Sequence, residues 1–203
     1  MRLLKCKITV ILLALALTGC NAPETDIPQR IERSLFAMNT YMTLSAYGKN
    51  AETALEKSEK LIKEVESLWS VTDEESEIYM ANHSSGRTVS VSEETAELIS
   101  FALEMAQKTD GALDPTIYPV LTAWGFTTDS KQVPSSEQIA ELLQNVGYDR
   151  IQLEDTSLTI PDGMELDLGA VGKGYTADLV TEVFKEHGVE SAIISLGGNI
   201  HAV

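Results

Sequence analysis

Both the fold and the chemistry turn on one stretch, Glu165-Leu166-Asp167-Leu168-Gly169-Ala170-Val171-Gly172-Lys173-Gly174-Tyr175. Met164 to Leu168 is expected to be a short strand that carries Asp167 to its C-terminal end. Glycines at 169, 172 and 174 then let the backbone turn closely. A helix is expected over residues 175–187, with Leu179, Val180, Val183 and Phe184 on its buried face and Gly188 as its cap. The open N–H groups and positive end of a helix start suit a phosphate. Lys173 adds a point charge, and Asp167 is an acceptor for a ligand's hydrogen bonds. This is not a Walker A loop, because Lys173 is followed by Gly174 and Asp167 stands where the first glycine belongs. Nor is it the dinucleotide fingerprint, since the glycines run G-x-x-G-x-G. Spacing leaves two readings open: a phosphate site, or a tight strand-to-helix turn with a solvated lysine.

Upstream, residues 34–47 read as one strand, with Phe36, Met38, Met42, Leu44 and Ala46 on one side. Gly48 and Asn50 turn the chain into a helix over 51–69. There Ala54, Leu55, Leu61, Ile62, Val65, Leu68 and Trp69 recur at helical spacing, opposite a Glu and Lys face. Residues 71–85 are polar apart from Ile78 to Ala81. Ser90 and Glu93 form a capping-box pattern before a second helix, 93–107. Residues 111–134 have no clear period and read as a long ordered loop with one helical turn, the kind of segment that is often functional. Ser135 and Gln138 cap a third helix lined by Ile139, Leu142, Leu143 and Val146. Residues 151–153 and 157–160 form a hairpin. Ser191 to Leu196 is a strand bent by Gly197-Gly198. The last residues, Ile200 to Val203, read as a strand under way, as in a fragment or a split protein.

Two further segments carry candidate site residues. Asp114 precedes Pro115, which holds it extended and fixes the direction of its carboxylate. Such an aspartate is either a binding residue or an Asx-turn acceptor. Met38-Asn39-Thr40 lies within the first strand, where Met is core filler unless other evidence gives it a role. His83, His187 and His201 are too scattered for a metal triad. His187 suits a helix C-terminus as a cation.

Composition bounds the classes. Apolar residues make up 43% and charged residues 23%, ordinary values for a folded domain. The net charge of −16 repels nucleic acid, whose binding needs Lys and Arg on phosphates. At the N-terminus, Arg2, Lys5 and Lys7 precede an apolar run from Ile8 to Leu17 that is too short to span a membrane comfortably. Leu17-Thr18-Gly19-Cys20 has the pattern of a lipobox. Residues 1–19 are therefore expected to be a lipoprotein signal peptide, with Cys20 lipidated. Residues 20–33 would be a tether and 34–203 the folded domain, held on the outer, extracytoplasmic face of a cell membrane. The two cysteines are Cys6 and Cys20, so the domain itself can form no disulfide or thiolate metal site.

Four segments in order resemble the ApbE family of FAD:protein FMN transferases. They are Ala37-Met38-Asn39-Thr40-Tyr41-Met42-Thr43; Leu68-Trp69-Ser70 through Asp73 to Ile78; Thr109 to Pro115 with Trp124-Gly125-Phe126; and Asp167 to Tyr175 followed by Leu196-Gly197-Gly198-Asn199. The match runs from about Leu35 to Val203. The resemblance implies an α+β, T-fold-like domain with a mixed or antiparallel sheet and packed helices. It implies transfer of FMN from FAD to a Thr or Ser hydroxyl of another protein, with Mg²⁺ as cofactor and AMP released. The acceptors it implies are flavin-bearing subunits of membrane redox complexes, or extracytoplasmic flavoproteins. By position, Met38, Thr72, Ala112, Leu113, Asp114, Asp167 and Lys173 match FAD-contacting residues, and the Ala170 carbonyl matches a Mg²⁺ ligand. Thr72 departs from the pattern, because many members carry a flavin-packing aromatic there; Trp69 or Tyr79 stands near enough to substitute. The family's main metal ligands fall beyond Val203, so residues 1–203 alone are expected to be inactive. Other functions compatible with the sequence are a FAD pyrophosphatase, a flavin-binding lipoprotein without turnover, and a solute-binding lipoprotein.

Overall fold

A computed structural model describes residues 29–128 and 130–203. The expected signal peptide, Cys20 and most of the tether lie outside the described residues. Strand β1 (Arg30–Ala37) already takes up the last four residues assigned to the tether. It pairs antiparallel with β2 (Thr40–Tyr47) in a register that sets Ala37 opposite Thr40. Residues 34–47 are thus a hairpin and not one strand. Met38 and Asn39 form its two-residue loop, with φ of 49° and 56°. Positive φ at both central positions gives the twist that a tight hairpin needs, but the expected glycine is missing, so the turn was hidden. Strand β2 pairs in turn with β6 (Ala192–Leu196), and β6 with β7 (Asn199–Ala202), all antiparallel. Gly197-Gly198 closes this second hairpin rather than bending a strand.

Two long helices cover one face of this sheet. Helix α1 (Ala51–Trp69) follows its expected bounds, because its apolar spacing matches the helical period. Helix α6 (Gly169–Glu186) starts six residues before expectation, so the glycine-rich stretch is its first turns and not a loop ahead of it. Leu35, Met42, Leu44, Leu55, Ile62, Val180, Phe184, Ile194 and Leu196 interlock between sheet and helices. Each such fully buried large side chain contributes about 1.5–3 kcal/mol against the entropy of ordering. The other face of the sheet leaves Phe36, Tyr41, Ile193 and Ile200 exposed. At the outer edge, Arg33 reaches Glu56 at 2.9 Å and Glu59 at 3.2 Å, fastening β1 to α1.

A second core lies beyond the ends of α1 and α6. It gathers Val65, Trp69, Ile78, Leu98, Ile99, Leu158, Ile160, Met164, Leu166 and Val171. Its elements are α2 (Glu77–Asn82), β3 (Val89–Ser90), α3 (Glu93–Lys108), and the β4 (Gln152–Glu154) and β5 (Ser157–Thr159) hairpin, while α4 (Tyr118–Ala123) and α5 (Ser136–Leu142) come between α3 and β4 in the chain. The small sheet runs β3-β5-β4. The cap of α3 is Ser92 and not Ser90. The Ser92 hydroxyl accepts from Thr95 N–H at 3.3 Å and donates to Glu77 at 2.8 Å, while Ser90 is consumed in β3. Ser135 caps α5 as expected, accepting from Gln138 N–H at 3.2 Å. Residues 164–168 form no strand. Glu165 makes a single parallel bridge to Ile117, and Asn82 pairs with both the N–H and the carbonyl of Leu166. A side chain supplies there what a sheet neighbour would have supplied.

Candidate functional site

The antiparallel topology brings two hairpin loops, Met38-Asn39 and Gly197-Gly198, to the same end of the sheet. The C-terminus of α1 and the N-terminus of α6 arrive at that end too. Gly197 has φ of 59°, and a Cβ there would stand 2.5 Å from Thr40 Oγ1, so only glycine lets the two loops lie this close. Gly174 faces Asn199, whose Nδ2 lies 3.8 Å from where a Cβ would be. Between these elements opens a cleft of about 870 Å³. It is lined by Asp167, Gly169, Gly172 and Lys173 at the start of α6, by Phe36, Met38, Asn39, Glu66, Trp69 and Thr72 from the first hairpin and the end of α1, and by Phe126 and Lys131.

The expected site residues divide. Met38, Thr72, Asp167 and Lys173 all border the cleft. Asp167 Oδ1 accepts from Gly169 N–H at 2.8 Å, which turns the chain into α6. Asp167 N–H donates to Pro115 O at 2.8 Å and so ties this wall to the 112–116 segment. Lys173 sits half-buried in the second turn of α6 and makes no ion pair among the described residues. Ala112, Leu113 and Asp114 do not line the cleft. Ala112 is exposed, and Leu113 packs on the second core. The Asp114 carboxylate is spent locally: Oδ1 accepts from Thr116 N–H at 2.8 Å and Thr116 Oγ1 at 2.6 Å, and Oδ2 from Tyr148 N–H at 3.1 Å. This is the Asx-turn alternative, extended to clamp the Gly147-Tyr148 corner.

Of the two aromatics near Thr72, Trp69 borders the cleft and Tyr79 does not. Trp69 is 8% exposed, donates from Nε1 to Thr95 Oγ1 at 3.2 Å, and meets Tyr175 edge-on at 6.0 Å. Tyr79 instead stacks on His83 at 3.9 Å in a separate groove of about 410 Å³. Beside that groove, burial pushes the Glu165 carboxyl up, and the charge of His83 partly offsets the shift.

The position of Ala170 can be tested against the metal implied for it. It is exposed in the first turn of α6, next to Asp167, and its carbonyl is a hard oxygen donor. A Mg²⁺ shell needs near-octahedral oxygens, and no cluster of three acidic or histidine side chains occurs among the described residues. One carbonyl does not by itself complete such a shell.

The family model whose description is "ApbE family" matches residues 38–203. The chain belongs to the ApbE family. It is 35% identical over 148 residues to a FAD:protein FMN transferase of Klebsiella pneumoniae, covering 71% of this chain and 47% of that protein. To the enzyme of that name from Salmonella typhimurium it is 30% identical over 215 residues, covering 98% of this chain and 61% of the relative. The crystal structure of the ApbE protein from Thermotoga maritima superposes with a TM-score of 0.81 at 31% identity, over 86% of this chain and 59% of that one. The chain thus spans between about half and three fifths of the length of these relatives. The ApbE-like α+β architecture expected from the four segments is present.

Sequence reading gave no site role to Glu66, Phe36, Phe126 or Lys131, although Phe126 stands in one of the four segments. Glu66 looked like part of the charged face of α1, and only its place in the last turn, level with the 38–39 loop, sets it apart. Phe36 looked like a core position; it is 66% exposed because the strand's inner face is the one carrying Leu35 and Ala37.

Proposed function

We propose that the protein is a flavin transferase that moves FMN from FAD onto a Thr or Ser hydroxyl of an acceptor protein, with release of AMP. The observation that carries this reading is the mixed lining of the cleft. Its α6 wall offers a helix start, small residues and Lys173, which suit a diphosphate. Its lining also includes Phe36, Met38, Trp69 and Phe126, which suit a flat aromatic ring system. The names of the relatives are consistent with it. In the reaction the acceptor oxygen bonds to the FMN-side phosphorus and the bridging P–O bond breaks. AMP leaves with the bridging oxygen, and the hydroxyl proton passes to solvent. Such a transfer asks the protein for positioning and charge stabilisation rather than for a covalent nucleophile. Lys173 would hold a phosphate oxygen, and Asp167, through its bond to Gly169, fixes the helix start beneath it.

Mg²⁺ dependence belongs to the proposal as well; a bound divalent ion would neutralise charge on the diphosphate. The chain's acidity, −16 overall, makes such an offset useful. Lipid anchoring at Cys20 on the extracytoplasmic face rests on the Leu17–Cys20 pattern, and acceptors among membrane redox subunits or extracytoplasmic flavoproteins suit that location.

The test is incubation of the full-length protein with FAD, Mg²⁺ and a candidate acceptor. Flavin fluorescence that stays on the acceptor after denaturation is expected, together with one AMP per flavin attached. Lys173→Ala should reduce the rate by about tenfold or more, the scale of losing a charge-assisted contact. AMP and FMN appearing without acceptor would point to a pyrophosphatase, and FAD binding without AMP would withdraw the transfer chemistry.

A further inference from the structure

Glu66 is a carboxylate in a cleft whose proposed ligand carries a diphosphate, so proximity to that ligand's charge gives it no obvious use. Its surroundings give it one. Glu66 Oε1 accepts the Met38 backbone N–H at 2.6 Å. That donor has a specific problem. In the two-residue loop between β1 and β2, the ladder ends at the Ala37–Thr40 pair, so Met38 N–H has no partner in the sheet. A half-buried peptide N–H without a partner is costly. The loop is also unfavourable in itself: Met38 and Asn39 both sit in the left-handed region, with φ of 49° and 56°. Asn tolerates that region, but a side chain such as that of Met avoids it, so the strain falls on Met38. Something outside the hairpin has to hold it. Met38 meanwhile packs against both hydrophobic cores and borders the cleft, so its loop fixes the shape of that wall.

We propose that Glu66 is a positioning residue: its carboxylate locks the Met38-Asn39 loop and thereby shapes the wall that receives the flavin half of the ligand. The part that names the flavin rests on the function proposed above; the part that concerns the loop does not. Glu66 acts through a backbone hydrogen bond, so what matters is an acceptor oxygen at that place and not the negative charge. Gln at 66 can still accept from Met38 N–H, whereas Ala cannot.

The experiment uses the full-length protein and its Glu66→Ala and Glu66→Gln variants, with two readouts. The first is amide hydrogen exchange at residues 38–40 without ligand. Exchange should rise by about tenfold or more in the Ala variant and stay near the original rate in the Gln variant. The second is binding of FAD and, separately, AMP. The Ala variant should bind FAD about tenfold more weakly, with AMP affinity unchanged, and Gln should restore FAD binding. Unchanged exchange at Met38 in the Ala variant would overturn the inference. So would a Gln variant as impaired as Ala, because the charge would then be acting on the ligand directly. If the unsubstituted protein binds no FAD, the functional reading fails, and the exchange data still decide the role of Glu66. Should Glu66→Ala not fold, Asn39→Gly is added to it, since glycine relaxes the left-handed position. Recovery of folding supports the inference, and no recovery counts against it.

Discussion

Asp114 and Asp167 look alike in the sequence, each in a segment rich in small residues, yet the structure uses them differently. Asp167 keeps a place on the cleft wall, with one carboxylate oxygen turning the chain into α6. Asp114 has both oxygens committed to Thr116 and Tyr148, and Thr116 Oγ1 in turn accepts from Gly147 N–H at 2.8 Å. Removing the Asp114 carboxylate leaves three donors without an acceptor around the buried Thr116. Asp114→Ala is therefore expected to lower stability by about 2–3 kcal/mol, read as a fall in the urea midpoint. A variant with an unchanged midpoint but weakened FAD binding would show that Asp114 serves the ligand instead.

At the scale of elements, contacts between neighbours decide what local sequence leaves ambiguous. Gly197 offers a direct measurement. An alanine methyl there would collide with Thr40 Oγ1 at 2.5 Å and Cγ2 at 2.6 Å, and would sit at a φ of 59°. Gly197→Ala should cost about 2 kcal/mol or more, and a second change, Thr40→Ala, should recover part of it. Strict additivity of the two changes in denaturant titrations would mean that the hairpin loops do not press on each other. The α3–α6 contact gives a pH test. Tyr175 donates to Glu97 Oε2 at 2.7 Å. Burial first, then that hydrogen bond and the charges of Glu97, Glu94 and Asp178, push the phenol from 10.0 up to about 12. Above pH 10.0 the unfolded chain gives up this proton before the folded one does. Stability is therefore full below that pH and falls as pH rises toward about 12. Urea midpoints of the original protein should drop more steeply over this window than those of Tyr175→Phe; parallel slopes would contradict the assignment. These contacts also show why some elements were legible and others were not. The period of α1 is set by its own buried face, so its bounds could be read. The start of α6 could not, because glycine disfavours helix locally, and only at Gly169 does a neighbour, Asp167 Oδ1 at 2.8 Å from where a Cβ would be, press on the missing side chain. The 38–39 loop was invisible for the converse reason: Met38 is a poor turn former, no glycine follows Asn39, and the support comes from α1, twenty-eight positions later.

The molecule as a whole is two hydrophobic cores with the cleft near their junction. One core lies under the four-stranded sheet, and the other gathers α2, α3 and the small sheet. Neither is independent of the other. Helix α1 places Ala51, Ala54, Leu55 and Ile62 in the first core and Val65 and Trp69 in the second. Helix α6 does the same with Ala177, Val180 and Phe184 against Val171. Breaking one core would require two continuous helices to fray in the middle, at the cost of their hydrogen bonds and of the apolar surface on both sides. The expected behaviour of the described region is a single cooperative transition. A ligand in the cleft touches the ends of both helices, so it should stabilise both cores together. With FAD at about one hundred times its Kd, linkage gives about 2.7 kcal/mol, a Tm rise of roughly 5–10 °C for a domain of this size. Differential scanning calorimetry of the full-length protein with and without FAD checks this. The heat absorbed by the described region should move as one peak. Two peaks, only one of which follows FAD, would mean that the cores melt separately and that the cleft belongs to one of them.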